Sequence, residues 1–324
     1  MTGMEEQCAL IALPGLRGSD VAKGWSIQTR NFHTLILQIL PIGVSRFYEV
    51  KMSNGHLFQA QRIRRQSMAI AQNLFDLTGK TALVTGANRG LGKAIALGLA
   101  QAGADVGVCC RSPSGQDVVE KIVKLGRRSI ALNCDVSDWA QIDAMVDDFY
   151  GKWGRCDILV NNAGITQDPL PLADTTEKMF DHFFQVNAKG PMHLANQVAR
   201  RMAKSGGGSV INISTMGALK PAGDLAMYCG SKAALLSLSR SMAEQWASSN
   251  IRVNAILPGP FRTDMLKDLI DAIPGFLEYT SSATLLKRIA EPEEIIGPVV
   301  FLASDAASYV TGQLLSVCGG ATYH

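Results

Sequence analysis

Residues Thr81 to Gly92 read TALVTGANRGLG, and this stretch decides the fold. The apolar run Thr81–Thr85 predicts a buried strand, and a helical pattern starts directly after the glycines, at Lys93. Gly86 permits a tight turn, and the later glycines let the backbone and the helix come close to a pyrophosphate. Amides at a helix N-terminus supply the partial positive charge that phosphates need. The stretch therefore predicts a strand–turn–helix unit that binds a dinucleotide.

Outward from this unit, apolar runs that are typical of strands alternate with helical patterns. The predicted strands cover residues 80–85, 105–110, 128–134, 157–161, 208–214, 250–257 and 313–317. The predicted helices cover residues 90–102, 114–125, 138–152, 175–203, 226–248 and 292–303. Continuous apolar strands joined by helical crossovers indicate a parallel sheet covered on both faces. We therefore predict an α/β fold, a Rossmann-like doubly wound sheet of seven parallel strands flanked by helices.

The composition is that of an ordinary globular protein. Of 324 residues, 47% are hydrophobic and 18% are charged, which excludes wholesale disorder, collagen and a coiled coil. The net charge of +3 hides an asymmetry, because residues 1–67 carry +4 and residues 68–324 carry −1. A nearly neutral main body gives no electrostatic argument for nucleic-acid binding. The longest apolar run, Leu35 to Val44, is too short to span a bilayer.

The cysteines and histidines do not have the spacing of a metal site. Seven cysteines are scattered along the chain, and the adjacent pair Cys109 and Cys110 is neither a CxxC motif nor a zinc spacing. His182 and His193 lie in a helical pattern without an HExxH-like partner. We expect reduced, buried cysteines in an intracellular compartment, with the cytoplasm as the location, and no metal.

Tyr228 and Lys232 are four residues apart in a helical pattern and so project from one helix face. A free tyrosine, with a pKa of about 10, is a poor acid–base group near neutrality. A neighbouring ammonium stabilises the phenolate and is expected to lower that pKa. The pair could then give a proton to a carbonyl oxygen, or take one from an alcohol, during hydride transfer.

Several segments, in order along the chain, resemble the short-chain dehydrogenase/reductase family. The resemblance covers about residues 75–322 and rests on TGANRGLG at 85–92, NNAG at 161–164, Asn187 in VNAKG, YxxxK at 228–232, Pro258-Gly259 followed by Thr263, FLASD at 301–305 and VTG at 310–312. It implies that residues 68–324 form a single catalytic domain. It also implies a homotetramer or homodimer packed through the long helices 175–203 and 226–248.

The resemblance also implies a set of site residues. The catalytic residues it implies are Asn187, Thr215, Tyr228 and Lys232. The cofactor-binding residues it implies, together with the glycine turn, are Gly86, Asn88, Arg89, Gly90, Leu91, Arg111, Asp135, Val136, Asn161, Ala163, Gly164, Tyr228, Lys232, Pro258, Gly259 and Thr263. In such a site Lys232 would also hold the nicotinamide ribose, and Asn187 would support a proton-relaying water.

The position of the catalytic hydroxyl departs from the family pattern. Counting back from Tyr228 by the usual interval reaches Thr215, where the family has serine, whereas alignment on Gly217 would favour Ser214. Neighbouring residues of a strand point to opposite faces, so only one of the two should reach the site. We assign the role to Thr215, with Ser214 as the alternative.

The tip of the second strand predicts which nicotinamide cofactor is preferred. An acidic residue there would hold the ribose 2′-hydroxyl of NAD, whereas arginine suits a 2′-phosphate. The strand ends at Cys110 without Asp or Glu, Arg111 follows, and Arg89 in the glycine turn can add a second cation. We predict NADP(H) over NAD(H), although both arginines could instead be solvated loop residues.

Residues 1–67 show no clear pattern, and we interpret them as a poorly ordered extension upstream of a native start at Met68. The early acids Glu5 and Glu6 suit neither a signal peptide nor a mitochondrial presequence, although mitochondrial targeting stays open. Basic residues Arg62–Arg65 leave a membrane- or nucleic-acid-binding role for this extension as an alternative.

The substrate is predicted only as a small carbonyl or alcohol. Residues 264–290 lie where the family places a mobile lid, and they mix apolar residues with Tyr279, Thr280 and Ser281. Gln167 and Asp168 could bind a polyol or cap the turn at 169–171. The chain resembles sugar-acid or polyol dehydrogenases and 3-oxoacyl-carrier-protein reductases equally. A catalytically silent dinucleotide sensor or scaffold is the alternative from another class.

Overall fold

The computed structural model describes residues 25–31, 34–39, 46–51, 74–112 and 115–322. The chain divides into two units, Met1–Ala71 and Gln72–His324. In the first unit three strands form an antiparallel sheet in the order β1-β2-β3. These strands are β1 (Trp25–Asn31), β2 (Thr34–Ile39) and β3 (Arg46–Lys51). Met68 and Arg62–Arg65 lie outside the described residues, so the interpretation of residues 1–67 as an extension stays a prediction.

The second unit is built on a seven-stranded sheet in the order β10-β9-β8-β7-β4-β5-β6, and every pair in it is parallel. Its strands are β4 (Thr81–Thr85), β5 (Asp105–Cys110), β6 (Ser129–Asn133), β7 (Ile158–Asn161), β8 (Gly208–Ile213), β9 (Ile251–Pro258) and β10 (Leu314–Val317). The strand order reverses after β6, where the chain returns to β7 beside β4. The predicted doubly wound parallel sheet is confirmed.

Helices cover both faces of this sheet. The described helices are α1 (Gly90–Gln101), α2 (Gln116–Lys124), α3 (Trp139–Trp153), α4 (Glu177–Phe184), α5 (Gly190–Met202), α6 (Ala226–Trp246), α7 (Asp264–Ala272), α8 (Phe276–Ser282) and α9 (Ile296–Ala303). No described helix is long and apolar enough to cross a membrane.

Two apolar cores form because side chains alternate along each strand. In β4, Val84 packs with Ile95 of α1, and Leu83 packs with Phe149 of α3 on the opposite face. All three buried aliphatic residues of β4 are fully covered by these layers. The near-continuous apolar runs of the sequence are therefore the runs that a two-sided parallel sheet requires.

The predicted helix 175–203 contains an irregularity. A five-residue π-helical turn, Gln185–Lys189, separates α4 from α5, and the Gly190 amide donates to the Gln185 carbonyl oxygen. Pro191 at the start of α5 has no N–H for the carbonyl of Asn187, four residues earlier. Such turns are frequent at functional sites, because they redirect the side chains that they carry.

Candidate active site

The glycine turn between β4 and α1 has the backbone geometry that only glycine allows. Gly86 and Gly90 have φ of +63° and +53°. A Cβ at Gly86 would lie 2.9 Å from the Cα of Ala163, and one at Gly92 would lie 2.1 Å from the Gly86 carbonyl oxygen. The turn is therefore packed against the end of β7, and both positions exclude any side chain.

Hydrogen bonds from Thr85 join the glycine turn to the NNAG segment. The Thr85 hydroxyl oxygen accepts from the amides of Asn162 and Ala163, each at 3.0 Å. The Asn162 side-chain amide donates to the carbonyl oxygens of Thr85 at 2.9 Å and Gly86 at 3.2 Å. Thr85 and Asn162, which were quoted within motifs but not predicted as site residues, thus position the turn.

The start of α1 fits a pyrophosphate. Arg89 precedes the helix with extended backbone and no side-chain cap, and the first turn carries no acidic residue. The amides of the first turn of α1 therefore have no carboxylate partner within that turn, so a phosphate can accept their hydrogen bonds. We call the glycine turn 86–92 together with the start of α1 the cradle. Thr263 borders it, since a Cβ at Gly90 would lie 3.6 Å from the Thr263 methyl carbon. Leu91 anchors the turn by packing on the core.

The tips of β5 and β6 carry the residues predicted to meet the adenosine half. Arg89 and Arg111 are both exposed, and Val136 is buried. Asp135 accepts hydrogen bonds from the Ser137 amide (2.9 Å) and hydroxyl (2.7 Å). Partial burial alone would raise the pKa of Asp135, but these bonds and the charge of Arg111 hold it below its usual value. This edge is thus polar, with two arginine side chains in solvent.

The Asn161 side chain is buried and makes hydrogen bonds within the protein interior. Its side-chain amide donates to Asn212 Oδ1 at 2.8 Å and to the Pro191 carbonyl oxygen at 3.2 Å, and the residue is buried. Asn212 in turn donates to the Ser239 hydroxyl at 2.8 Å. This chain connects β7, β8 and α6, so any contact of Asn161 with a cofactor falls to its backbone.

Asn187 lies in the π-helical turn, fully buried and held at both poles of its amide. Its Oδ1 accepts from the Ile165 amide at 2.9 Å, and its Nδ2 donates to the Ile165 carbonyl oxygen and the Ser231 hydroxyl, each at 3.0 Å. Ser231 donates onward to the Tyr228 carbonyl oxygen at 2.8 Å. Ser231, which the sequence reasoning missed although it directly precedes Lys232, therefore ties Asn187 to α6.

Lys232 is buried at the centre of the site. Its ammonium donates to the Ile213 carbonyl oxygen at 2.8 Å, and desolvation lowers its pKa to about 8. A Cβ at Gly164 would lie 3.1 Å from Lys232 Nζ and 3.0 Å from Asn187 Oδ1. The absence of a side chain at Gly164 therefore leaves room beside both functional groups.

The two adjacent hydroxyls after β8 have different surroundings. Ser214 is buried, and its hydroxyl donates to the Lys232 carbonyl oxygen at 3.0 Å. Thr215 is half-buried, and its hydroxyl oxygen accepts from the Gly217 amide at 3.2 Å. Hydrogen bonding with Thr215, and not with Ser214, acts on the phenol of Tyr228. The structure thus brings Thr215 to Tyr228 and directs Ser214 into α6.

The expected lowering of the Tyr228 pKa does not occur in the structure. Burial raises the pKa of this phenol above its ordinary value, and hydrogen bonding with Thr215 only partly opposes the rise. The Lys232 ammonium is directed to the Ile213 carbonyl instead. The phenol therefore keeps its proton well above neutral pH.

Of the remaining predicted residues, Pro258 and Gly259 lie at the end of β9, and Gln167 and Asp168 lie in the loop after β7. Pro258 closes β9, and Gly259 packs so tightly on the next loop that its Cβ would lie 2.6 Å from the Cα of Cys318. Gln167 is buried, and its side-chain amide is bonded to the start of α6. Asp168 is exposed.

Metal binding has no structural support within the described residues, where no cluster of three or more histidine, cysteine, aspartate or glutamate side chains could hold an ion. The six described cysteines are buried and form no disulfide.

Comparison with known proteins gives matches over most of the chain. A family model described as enoyl-(acyl carrier protein) reductase matches residues 86–322. The chain is 38% identical over 260 residues to 2-dehydro-3-deoxy-D-gluconate 5-dehydrogenase of Dickeya dadantii, covering 76% of this chain and 97% of that protein.

Solved structures of similar proteins include complexes with both nicotinamide cofactors. A 7α-hydroxysteroid dehydrogenase with NADH and 7-oxo glycochenodeoxycholic acid is 38% identical with a TM-score of 0.73, covering 77% of this chain and 96% of that one. A gluconate 5-dehydrogenase from Burkholderia cenocepacia with NADP and tartrate is 34% identical with a TM-score of 0.74, covering 78% of this chain and 98% of that one.

Proposed function

This chain belongs to the short-chain dehydrogenase/reductase family of NAD(P)-dependent oxidoreductases, and from that premise we propose that it interconverts a secondary alcohol and a carbonyl, with Tyr228 as the general acid–base group and NADP(H) as the preferred cofactor. The observation that carries the proposal is that Asn187 Oδ1 and Lys232 Nζ both border Gly164, while Thr215 is hydrogen-bonded with the phenol of Tyr228 on the same helix as Lys232. These residues come from three separate segments of the chain: the π-helical turn, the end of β8 and α6.

The chemistry needs a proton donor at the oxygen of the carbonyl. When bound, a nicotinamide cofactor supplies the hydride that reduces the carbonyl carbon. The Tyr228 phenol gives its proton to the carbonyl oxygen, and the Thr215 hydroxyl orients that oxygen. Below its pKa of about 8, Lys232 is an ammonium with two N–H donors beyond its bond to the Ile213 carbonyl oxygen, and we assign it the role of stabilising the resulting phenolate. In alcohol oxidation the same proton returns to Tyr228.

The protonation state of Tyr228 at neutral pH suits carbonyl reduction. The phenol is then protonated and acts as an acid, whereas oxidation needs the phenolate and accelerates as the pH rises. This follows from burial, which is the largest influence on the group.

NADP(H) preference is supported by the charge at the tip of β5. Arg111 is exposed directly after the strand, Arg89 is exposed in the glycine turn, and no carboxylate ends the strand where a ribose 2′-hydroxyl would be held. The test is the ratio of kcat/KM for NADPH and NADH. We expect NADPH to be favoured and Arg111→Asp to move the ratio toward NADH by at least about tenfold, the equivalent of one lost ionic hydrogen bond. Preference of the unaltered enzyme for NADH would overturn the assignment.

A sugar acid, a polyol or a 3-oxoacyl thioester is the substrate class we propose. The Dickeya relative is named for a sugar acid, and the lid region exposes the apolar side chains of Tyr279, Leu285 and Leu286. A panel of these carbonyls with NADPH, and of the alcohols with NADP, tests the class. Turnover of one group supports it, whereas tight cofactor binding without turnover of any compound would favour a silent sensor or scaffold.

We extend the proposal to a cytoplasmic homotetramer or homodimer assembled through α4, α5 and α6. Phe180 and Phe184 of α4 stack with ring centroids 4.3 Å apart, and Phe180 is exposed, which leaves an aromatic surface for a second copy. Sedimentation equilibrium should give a multiple of the chain mass that Phe180→Asp reduces, and a monomer for the unaltered chain would contradict the assembly.

A further inference from the structure

The loop after β7 carries a buried glutamine whose side chain reaches the helix of Tyr228. The Oε1 of Gln167 accepts from the amide of Met227 at 3.1 Å and from the amide of Tyr228 at 3.3 Å. Its Nε2 donates to the Asp224 carbonyl oxygen at 3.0 Å. The side chain is 6% exposed, so both poles of the amide are used inside the protein.

The start of α6 lacks a cap of its own. The first amides of a helix have no partner within the helix and need an acceptor from elsewhere. Leu225, at the N-cap position, has no side chain that can accept, and the first turn holds no acidic residue. Gln167, sixty residues upstream of Met227, supplies the missing acceptor. The Leu170 amide donates to the same Asp224 carbonyl oxygen at 3.0 Å, so the loop holds this turn at two points.

We propose that Gln167 is a positioning residue for Tyr228: it caps the first turn of α6 from the loop after β7 and so fixes the phenol against Thr215. The inference rests on the proposed function, because it assigns Tyr228 the acid–base role. Gln167 touches the backbone of Tyr228 and not the reacting atoms. Gln167 therefore acts on the reaction by fixing the position of the Tyr228 phenol.

The geometry explains why a small movement of this turn would matter. A displacement of about 1 Å in a reacting group can cost up to about a hundredfold in rate. Tyr228 is the third residue of α6, so a frayed first turn displaces it directly. The titratable group that acts on the phenol is Cys229 on the same helix, Asp224 of the preceding turn acts on Cys229, Lys232 lies one turn further along α6, and the loop itself brings the exposed Asp168.

Two substitutions separate capping from other roles. Gln167→Met keeps the volume and removes both the acceptor and the donor. Gln167→Glu keeps the acceptor for the two amides, and its protonated carboxyl also keeps a donor toward the Asp224 carbonyl oxygen, so this variant is assayed at the low end of the pH range of the enzyme. We expect Gln167→Met to lower kcat about tenfold or more with little change in the KM of the carbonyl substrate, and Gln167→Glu to stay within about threefold of the unaltered enzyme. Gln101→Met, the same exchange at an exposed glutamine at the end of α1, is the matched control.

A rise in KM alone for Gln167→Met would overturn the proposal in favour of a substrate contact. Equal losses of kcat in Gln167→Met and Gln167→Glu would overturn it as well, because the acceptor would then not be what matters. Affinity for NADPH, measured by fluorescence, should be unchanged in both variants and shows that they are folded.

A readout independent of turnover is the ionisation of Tyr228, followed by phenolate absorbance against a Tyr228→Phe reference. Burial raises the pKa of this phenol and hydrogen bonding with Thr215 lowers it, so displacement of the first turn in Gln167→Met changes both and should shift the titration away from that of the unaltered chain. An unmoved titration would overturn the positioning role. If the unaltered chain turns over no substrate, the proposed function fails, and this titration still decides the inference on Gln167.

Discussion

At the residue scale, the hydrogen bonds of Ser214 and Thr215 distinguish the roles of two neighbouring hydroxyls. The Ser214 hydroxyl donates to the Lys232 carbonyl oxygen, whereas the Thr215 hydroxyl is hydrogen-bonded with the Tyr228 phenol. Thr215→Val should lower kcat roughly a hundredfold, the usual cost of removing one donor at a reacting oxygen. Ser214→Ala should cost about 1 kcal/mol of stability and leave kcat within a few-fold. Steady-state kinetics of both variants decide, and a loss confined to Ser214→Ala would mean that Ser214 is the catalytic hydroxyl.

Lys232 makes stability depend on pH in a predictable direction. Burial lowers its pKa from 10.5 to about 8, so the unfolded chain binds more protons than the native chain between these values. The free energy of unfolding contributed by this group therefore rises from pH 8 to pH 10.5, and below pH 8 the buried ammonium is a constant penalty. The rise is on the order of 3 kcal/mol.

Lys232→Met removes this dependence. Denaturant unfolding of both cofactor-free proteins across pH 7 to 10.5 should give curves whose difference changes over that window, with the variant relatively more stable at pH 7. Other groups titrate in the same range, and for that reason the difference between the two proteins is measured. Parallel curves would show that Lys232 is not a desolvated ammonium.

At the scale of elements, the glycine turn depends on close packing between β4, α1 and the end of β7. Gly92→Ala would place a methyl group 2.1 Å from the Gly86 carbonyl oxygen, so the turn must open. We expect NADPH affinity to fall at least about tenfold, because 1.4 kcal/mol already has that effect.

Gly151→Ala is the matched control for this prediction. It lies within α3, where a Cβ meets nothing within 4 Å, and it should raise stability by about 0.5 to 1 kcal/mol without changing affinity. Fluorescence titration with NADPH and thermal melting measure the two effects. Unchanged NADPH affinity in Gly92→Ala would contradict the proposal that the glycine turn binds the cofactor.

The elements were predictable from sequence where the signal is local, and not where it depends on distant partners. The glycines and the flanking apolar strand predict the turn at Gly86. Pro191 is a second local signal, because it indicates the break before α5. Nothing near Gln167 shows that its partners begin at Asp224. Likewise, the inward direction of Asn161 follows from the pairing of β7 with β8, which the sequence does not state.

The pKa of Tyr228 was predicted in the wrong direction for a related reason. Spacing places Lys232 on the same helix face, but the distance to a carbonyl of β8 decides where the ammonium goes. Burial then determines the proton affinity of the phenol. Helical periodicity gives proximity, whereas desolvation depends on every element packed around the site.

At the scale of the whole molecule, the sheet assembles the site. Parallel pairing brings the carboxyl ends of β4, β7, β8 and β9 to one edge, so the glycine turn, NNAG, Thr215 and Pro258 meet there although far apart in sequence. Ligands of doubly wound sheets bind at this edge, beside the point where the strand order reverses. All the residues that we propose as catalytic thus belong to the second unit, Gln72–His324.

The most direct test of the account is hydride transfer by Tyr228→Phe, measured with NADPH and a carbonyl substrate found in the panel. The fully exposed Tyr309, changed to Phe, is the control for loss of a phenol elsewhere. We predict that Tyr228→Phe binds NADPH with unchanged affinity and loses roughly a thousandfold in kcat, within the range for a general acid, while Tyr309→Phe is unaffected. Turnover by Tyr228→Phe within a few-fold of the unaltered enzyme would contradict the central claim that Tyr228 carries the proton.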